Sequence, residues 1–301
     1  MTKGTPEVDW WVYLLAPLPA VFLGAFLMNA HDVSAALWLQ QIGAAVVGSE
    51  ICVVAVHVGQ RSELGVRSWL ALAIGAVALI AVTILFPGVD GVRRWIPVGP
   101  VRLHAASIAL PVLLLALDAA KQRSSNLESR TIRGAAILAA VLLIAQPDAS
   151  QATAFAVSAG MVLLARTRSN AREWLLVGGF GVLAALAWTR RDPLEPVPHV
   201  EGIVGLAAET GAVWVALGIA SLALLPAPFL LAARRGVRRQ VGTVALAVYL
   251  GILCVMPFLG AYPVPLLGFG LSPILGYYIA LAWLVVQLSQ RKQLGHEVHV
   301  R

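Results

Sequence analysis

The sequence predicts an all-α, polytopic integral membrane protein of about ten transmembrane helices, built as one domain over residues 1–301, with the N and C termini cytoplasmic. Three observations predict it. Of the 301 residues, 59% are hydrophobic and only 12% charged, whereas soluble domains are nearer half apolar and a quarter charged. The apolar residues fall in long uniform runs, not in the alternation of barrel strands, and in lipid only helices or closed barrels satisfy the backbone. The basic residues cluster in alternate connections between those runs.

About 20 apolar residues cross the hydrocarbon core as a helix, and ten runs are candidates. The first, residues 10–29, is long enough to be retained as a span and is not followed by a secretory cleavage site. The second, 35–59, carries Glu50 near its middle and His57 seven residues on, along the same helical face. An unpaired carboxylate there costs about 2.5–3.5 kcal/mol on insertion scales, so a neutral Glu50 bonded to another span is expected. Cys52 here and Cys254 in the ninth span read as small buried hydrophobes, with no metal spacing and no disulfide framework around them. Residues 67–86 form the third span and 103–119 the fourth, the latter interrupted by Pro111. The fifth (131–145) and sixth (150–166) are short. Between them Asp148-Ala149-Ser150-Gln151 has the form of a capping box, in which Asp148 caps the sixth helix and Gln151 answers back. Residues 172–189 are the seventh span. The eighth, 202–232, is long and contains Pro226 and Pro228, and the ninth, 239–259, contains Pro257; these prolines are expected to kink their spans, as is Pro111. The tenth, 273–290, leads into a charged tail whose His296-Glu297-Val298-His299 lacks the support a metal site needs.

Ten spans place both termini on one side. The connections and tails on that side hold 17 of the 22 Lys and Arg residues, and the positive-inside rule makes it cytoplasmic. The net charge of +7 then follows from topology and from facing membrane lipids, and no nucleic-acid partner is called for. The five exceptions occupy two outer connections: Arg93, Arg94 and Arg102 in Gly91–Arg102, and Arg190 and Arg191 in Thr189–Glu201. In the second connection Arg190, Arg191, Asp192 and Glu195 can pair with one another in solvent. In the first, Arg93 and Arg94 beside Trp95 point to anion binding, since planar guanidinium groups suit bidentate contact with phosphate at headgroup level. Arg102 is either a third contact or a salt-bridge partner for Asp90. Neither a phosphate-cradling glycine loop nor a nucleotide fold is present, and no internal repeat of the transporter kind is evident.

Four separated blocks carry a resemblance. Gly91-Val92-Arg93-Arg94-Trp95-Ile96-Pro97-Val98-Gly99-Pro100-Val101-Arg102 is similar to the G-A-R-R-W-x-x-x-G-x-x-R segment of the FtsW/RodA/SpoVE family, the SEDS glycosyltransferases that polymerise peptidoglycan from lipid II. Gln146-Pro147-Asp148, followed by Ala149, Ser150, Gln151 and Ala152, resembles the family's Q-P-D-x-G-x-A turn. Pro198-His199-Val200-Glu201-Gly202-Ile203, continuing to Glu209, resembles P-E-x-H-T-D-F-I-F-A-x-x-A-E-E at the mouth of span eight. Pro263-Val264-Pro265-Leu266-Leu267-Gly268-Phe269-Gly270-Leu271-Ser272 resembles P-x-P-F-x-S-Y-G-G-S before the last span. The order is kept over about residues 10–290. The departures are equally specific. The family's catalytic aspartate falls on Glu201, its Ser-Glu-x-x-Lys element on Ala106-Ser107-Ile108-Ala109-Leu110, its second paired glutamate on Thr210, and the serine of the last block on Gly268.

The resemblance implies an inverting glycosyl transfer from an undecaprenyl pyrophosphate donor such as lipid II, at the outer face of the bacterial cytoplasmic membrane. Such a reaction needs a base for the acceptor hydroxyl and positive charge for the leaving group. Glu201 is then the catalytic candidate, Arg93 and Arg94 bind the pyrophosphate, and Arg102, Trp95, Asp148, His199 and Ser272 are further substrate-binding candidates. Glu209 is expected to support the same cavity. A divalent cation could assist, but no ligand cluster demands one, and no residue is assigned to a metal. The implied partner is a single-span class B penicillin-binding protein, a transpeptidase. Glu201 has a plainer alternative, in which it begins the eighth helix and favours its dipole. So has the whole chain: a non-catalytic relative that binds, flips or scaffolds a lipid-linked glycan, which the two lost charges at 107 and 110 favour.

Overall fold

The computed structural model describes residues 10–59, 64–123, 126–165, 171–235, 237 and 240–299. Its helices are α1 (Leu18–Ala30), entered through a short 3-10 turn at Trp10–Leu15, then α2 (Ala35–Gly59), α3 (Val66–Val82), α4 (Ala105–Arg123), α5 (Asn126–Ala145), α6 (Ala149–Leu164), α7 (Ala171–Trp188), α8 (Ile203–Thr210), α9 (Ala212–Leu224), α10 (Ala227–Arg234), α11 (Gln240–Val255) and α12 (Leu271–His299). Six helices among the described residues are long and apolar enough to cross a membrane, and a seventh span counts if the pair α9–α10, bent by 40°, is taken as one. Six or seven spans therefore stand on length and composition, against the ten expected. The remaining long helices, α4, α5 and α6, lie within the same bundle. Of these, α4 and α5 carry charged residues at one end and α6 has only 16 residues. The protein is an all-α, multi-pass membrane protein.

Small side chains set the packing. Ala149, Ala152, Ala154, Ala156, Ala159 and Gly160 keep α6 thin, so that it is buried against α4, α7 and α11; close backbone approach of this kind is how apolar helices associate without a hydrophobic driving force. α2 runs along α12 in the same way: a Cβ at Gly48 would lie 2.3 Å from the ring of Tyr278, and Cys52 Sγ donates to Tyr278 O at 3.3 Å. At the end of the bundle away from the arginine loop, Glu173 of α7 is buried between Lys121 of α4 (3.8 Å) and Arg133 of α5 (4.0 Å).

Four expectations need correction. Residues 95–104 are not a plain loop running into a helix: β1 (Trp95–Val98) and β2 (Val101–His104) form an antiparallel hairpin, so α4 begins at Ala105, not at 103. The eighth span does not begin at 202. Gly211, at φ 138°, breaks the chain there, separating the short α8 from α9, and the span proper starts at Ala212. Its second break falls at Pro226, which lacks the N–H a continuing helix needs, while Pro257 ends α11 in a single 3-10 turn, Met256–Phe258, and does not kink it. Glu50, finally, is not bonded to another span among the described residues. It is exposed on the side of α2 opposite α12.

Candidate active site

The arginine segment is built by two tight turns. Val89 and Val92 exchange both backbone bonds, at 3.0 and 2.8 Å, around Asp90 (φ 46°) and Gly91 (φ 82°). Two positive φ values in sequence are what a type I′ hairpin turn requires, and Asp-Gly supplies them at little cost. Gly99 (φ 59°) and Pro100 close the second turn, pairing Trp95 with His104 and Pro97 with Arg102. Adjacent residues in such extended backbone face opposite ways. Arg93 accordingly lies exposed, donating to Ile84 O at 3.2 Å. Arg94 is buried, with its guanidinium 5.0 Å above the Trp95 ring. One of its terminal nitrogens pairs with Asp192, and its Nε is buried with no partner among the described residues. Asp192 thus serves Arg94 and not Arg190 or Arg191. Arg102 is exposed on β2, and no ion pair joins it to Asp90 among the described residues.

The Gln-Pro-Asp turn supports this hairpin from below. Gln146 Nε2 donates to Thr83 Oγ1 at 2.7 Å and to Ile80 O at 3.2 Å, gripping the end of α3. Asp148 caps α6 by accepting from Gln151 N at 3.2 Å, as the capping box predicts, but the side chain of Gln151 does not answer back. It donates to Ser107 Oγ at 3.2 Å and accepts from the Tyr249 hydroxyl. The other oxygen of Asp148 lies 2.9 Å from His104 Nε2, and His104 Nδ1 is 2.7 Å from Ser107 Oγ. Burial alone would raise the Asp148 pKa. The His104 bond, the nearby charges of His104 and Arg94, and the Gln151 N–H more than offset it, so this carboxyl sits below its ordinary range. Ser107 is buried and held by both neighbours, which makes it a support for the imidazole and not a nucleophile. Ser272, at the start of α12, is also buried, and its Oγ accepts from His104 N at 2.7 Å. It fixes His104 from behind.

Glu201 stands on a loop held by another loop. Gly202, not Glu201, is the N-cap of α8, and it offers no side-chain cap. Glu201 Oε2 instead accepts from Val197 N at 2.8 Å. Burial raises the Glu201 pKa, opposed by backbone bonds within the loop and by the charge of Arg94, with Asp192 adding to the rise. The flanking residues hang from 264–269: Phe269 N donates to His199 O at 2.8 Å and Val264 N to Val200 O at 3.3 Å. A Cβ at Gly268 would lie 2.2 Å from Val200 O, so the serine of the family pattern has no room here. Gln41 of α2 anchors the supporting loop in turn, donating to Leu266 O at 3.0 Å. His199 itself is half-buried with its ring 6.2 Å from Phe269, and desolvation lowers its pKa. Glu209 faces His31 at 3.7 Å, and His31 also meets Leu206 O and Thr210 Oγ1; this pins α8 to the α1–α2 connection.

Arg94, Trp95, Asp148 and Glu201 are therefore gathered, with the charge of Arg94 reaching both carboxyls. Arg93 lies at the edge, Arg102 faces away from the cluster's polar contacts, and His199 and Ser272 act through backbone and positioning bonds. Two residues that the sequence did not single out belong to the cluster: His104, and Tyr262, whose phenol is held above its ordinary pKa by burial, Asp148 and Asp192, against Arg94; Asp192, expected to pair with Arg190 and Arg191, belongs to it as the partner of Arg94. No three His, Cys, Asp or Glu side chains gather to hold a metal ion among the described residues. Asp148 and Asp192 are each already engaged by a basic group, so the donor set does not suit a divalent cation.

A family described as cell cycle protein, comprising FtsW, RodA and SpoVE, matches residues 9–192. The probable peptidoglycan glycosyltransferase FtsW of Nitrosococcus halophilus (strain Nc4) is 35% identical over 130 residues, 40% of this chain. The chain spans about a third (32%) of the length of that relative. Among solved structures, the rod shape determining protein RodA of Thermus thermophilus superposes with a TM-score of 0.69 at 20% identity, covering 93% of this chain and 97% of that one. A chain from a structure describing the coordination of polymerization and crosslinking by a peptidoglycan synthase complex gives 0.62 at 21% identity, again covering 93% and 97%. Both structures share the fold.

Proposed function

The chain belongs to the FtsW/RodA/SpoVE family, and from that premise we propose that it is a membrane glycosyltransferase that polymerises a lipid-linked cell-wall glycan precursor such as lipid II. One observation carries the reading: a half-buried carboxyl, Glu201, shares the field of a buried arginine, Arg94, while a second arginine, Arg93, stays exposed beside it. In the proposed step the acceptor hydroxyl attacks the donor's anomeric carbon, Glu201 takes the hydroxyl proton, and the bond to the pyrophosphate oxygen breaks. A carboxyl raised by desolvation is a stronger proton acceptor than a solvated one. Arg93 meets the departing pyrophosphate. Arg94, held by Asp192 and Trp95, supplies fixed positive charge behind it, the preorganised arrangement that stabilises developing negative charge most effectively. His104 and Asp148 act as one positioning unit, joining the hairpin to the cap of α6. No step is routed through a metal ion.

The proposed setting is the outer face of the bacterial cytoplasmic membrane, with undecaprenyl-linked donor in the surrounding lipid and a single-span class B penicillin-binding protein as partner. The likeness to a chain of a peptidoglycan synthase complex supports that partner. A second reading, a non-catalytic protein that binds, flips or scaffolds a lipid-linked glycan, is favoured by the self-contained bond from Val197 N to Glu201. Labelled lipid II separates the two. With wild-type protein, alone and with a candidate transpeptidase, glycan elongation is expected, and Glu201→Gln should lower it about 10²–10⁴-fold with lipid II binding retained. Elongation by no preparation, under conditions where a relative is active, would give the protein to the second reading.

A further inference from the structure

α2 is covered by its own chain on one side only. Gly48 and Cys52 face α12, whereas Leu39, Val46, Val47 and Val54 are 54–57% exposed on the opposite side. In the middle of that apolar face stands Glu50, exposed and without a hydrogen bond or ion pair among the described residues. It lies three residues past the centre of a 25-residue helix, about 4.5 Å at 1.5 Å per residue, and so within the hydrocarbon core. Acyl chains offer such a carboxyl nothing. Ionisable side chains at this depth ordinarily face a bundle interior, a water-filled cavity or a partner, and Glu50 faces none of these among the described residues.

We propose that this face of α2 docks a single transmembrane helix of another protein, one that carries a basic or amide side chain at the depth of Glu50. The stripe has further features of a helix seat. Gly43 and His57 each lie seven residues from Glu50, on the same line along the helix. A Cβ at Gly43 would have open space around it, so a second backbone can approach closely there. His57 is exposed and directs Nδ1 to Val53 O at 2.7 Å, which leaves the other ring nitrogen of a neutral imidazole as an acceptor toward the same side. A seven-residue repeat matches helices crossing at about 20°. Charge complementarity selects the occupant. Two copies of this chain share one orientation in the membrane, so a symmetric pairing through α2 would set Glu50 against Glu50 at equal depth. A basic or amide donor on a different sequence complements this carboxyl better than a second carboxyl does. The proposal rests on the fold and on α2, and it stands whether or not the chain is an enzyme.

The test uses the full chain in phosphatidylcholine vesicles, labelled with a fluorescent donor. The probe is a synthetic leucine-alanine single-span peptide that carries an acceptor dye and one lysine at its centre; a matched peptide has leucine there. The lysine peptide is expected to associate at least tenfold more tightly than the leucine peptide, and Glu50→Leu should abolish the difference. Because Glu50 is exposed and makes no hydrogen bond or ion pair among the described residues, that variant should fold. Val47→Trp, which blocks the face and leaves the carboxyl, should weaken the lysine peptide as well. Equal association of the two peptides, or a lysine preference that survives Glu50→Leu, would overturn the proposal. Energy transfer between two labelled copies of the chain that depends on Glu50 would overturn it too, by making a second copy the occupant.

Discussion

Arg93 and Arg94 are neighbours in the chain, yet one guanidinium is exposed and the other buried over Trp95 and paired with Asp192. Their variants should therefore differ in kind. Arg93→Ala is expected to weaken binding of a polyprenyl pyrophosphate glycan by the loss of a charge-assisted bond, about 1.5–3 kcal/mol, with no change in thermal unfolding. Arg94→Ala should lower stability as well, by about 1–3 kcal/mol, since Asp192 loses its cation. Arg190→Ala should alter neither. Titration calorimetry and unfolding curves on the same three variants check this, and equal effects at all three positions would return the arginines to a solvated loop. Glu201 sets the pH dependence. Its pKa is raised, chiefly by burial, and a base works only when ionised, so the acidic limb of kcat/KM should lie above the ordinary glutamate range. The Asp148 pKa is lowered, which removes it from that window. Glu201→Gln, freed of the cost of a desolvated charge, should unfold no earlier than wild type at neutral pH. At this scale the sequence was only partly legible. Arginines on the wrong side of a membrane stand out in one dimension, but Asp192 lies 98 residues from Arg94, and His104 becomes informative only once β2 aims it at Asp148.

Among the elements, membrane-spanning helices were legible as a class because a run of about 20 apolar residues has one solution in lipid, but their number was not, since six or seven stand among the described residues against the ten expected. The hairpin was not. Its turn, Gly99-Pro100, carries a signal, as does Asp90-Gly91 in the turn before it, but Pro97 within β1 masks the strand, and Leu103 continues the apolar run of α4. The eighth span was overread for the opposite reason. Residues 203–224 are apolar but for Glu209, Thr210 and Ser221, and Gly211, in a conformation that other residues rarely adopt, divides α8 from α9. Gly268 is the comparable position in the site. Gly268→Ser restores the family's residue, yet its Cβ would lie 2.2 Å from Val200 O. The substitution should displace residues 199–201 and cost most of the glycan elongation, while far-ultraviolet circular dichroism stays unchanged. Activity at the wild-type level would mean that the two loops are not rigidly joined.

For the whole molecule, the connections before β1, at Asp148, at Asp192–Glu201 and at 259–270 converge at one end of the bundle, and the cluster of Lys121, Arg133 and Glu173 lies toward the other. On the split of 17 basic residues against five and the positive-inside rule, we propose that the first end is external. Cysteines placed at Val98 and Glu195 should react with an impermeant maleimide in intact spheroplasts, and cysteines at Arg130 and Arg234 only after lysis. The reverse pattern would move the site to the cytoplasm. The contacts that complete this end are long in sequence. His104 is tied to Ser272 across 168 residues and Gln41 to Leu266 across 225. A nascent chain threads into the bilayer from its N terminus, so the arginine hairpin emerges well before the segment that steadies His104 and suspends Glu201. Until that last segment is inserted, a partly synthesised protein holds the cationic end of the site without the seated carboxylate. The order of biosynthesis itself thus withholds a finished centre from chains that stall or are cut short.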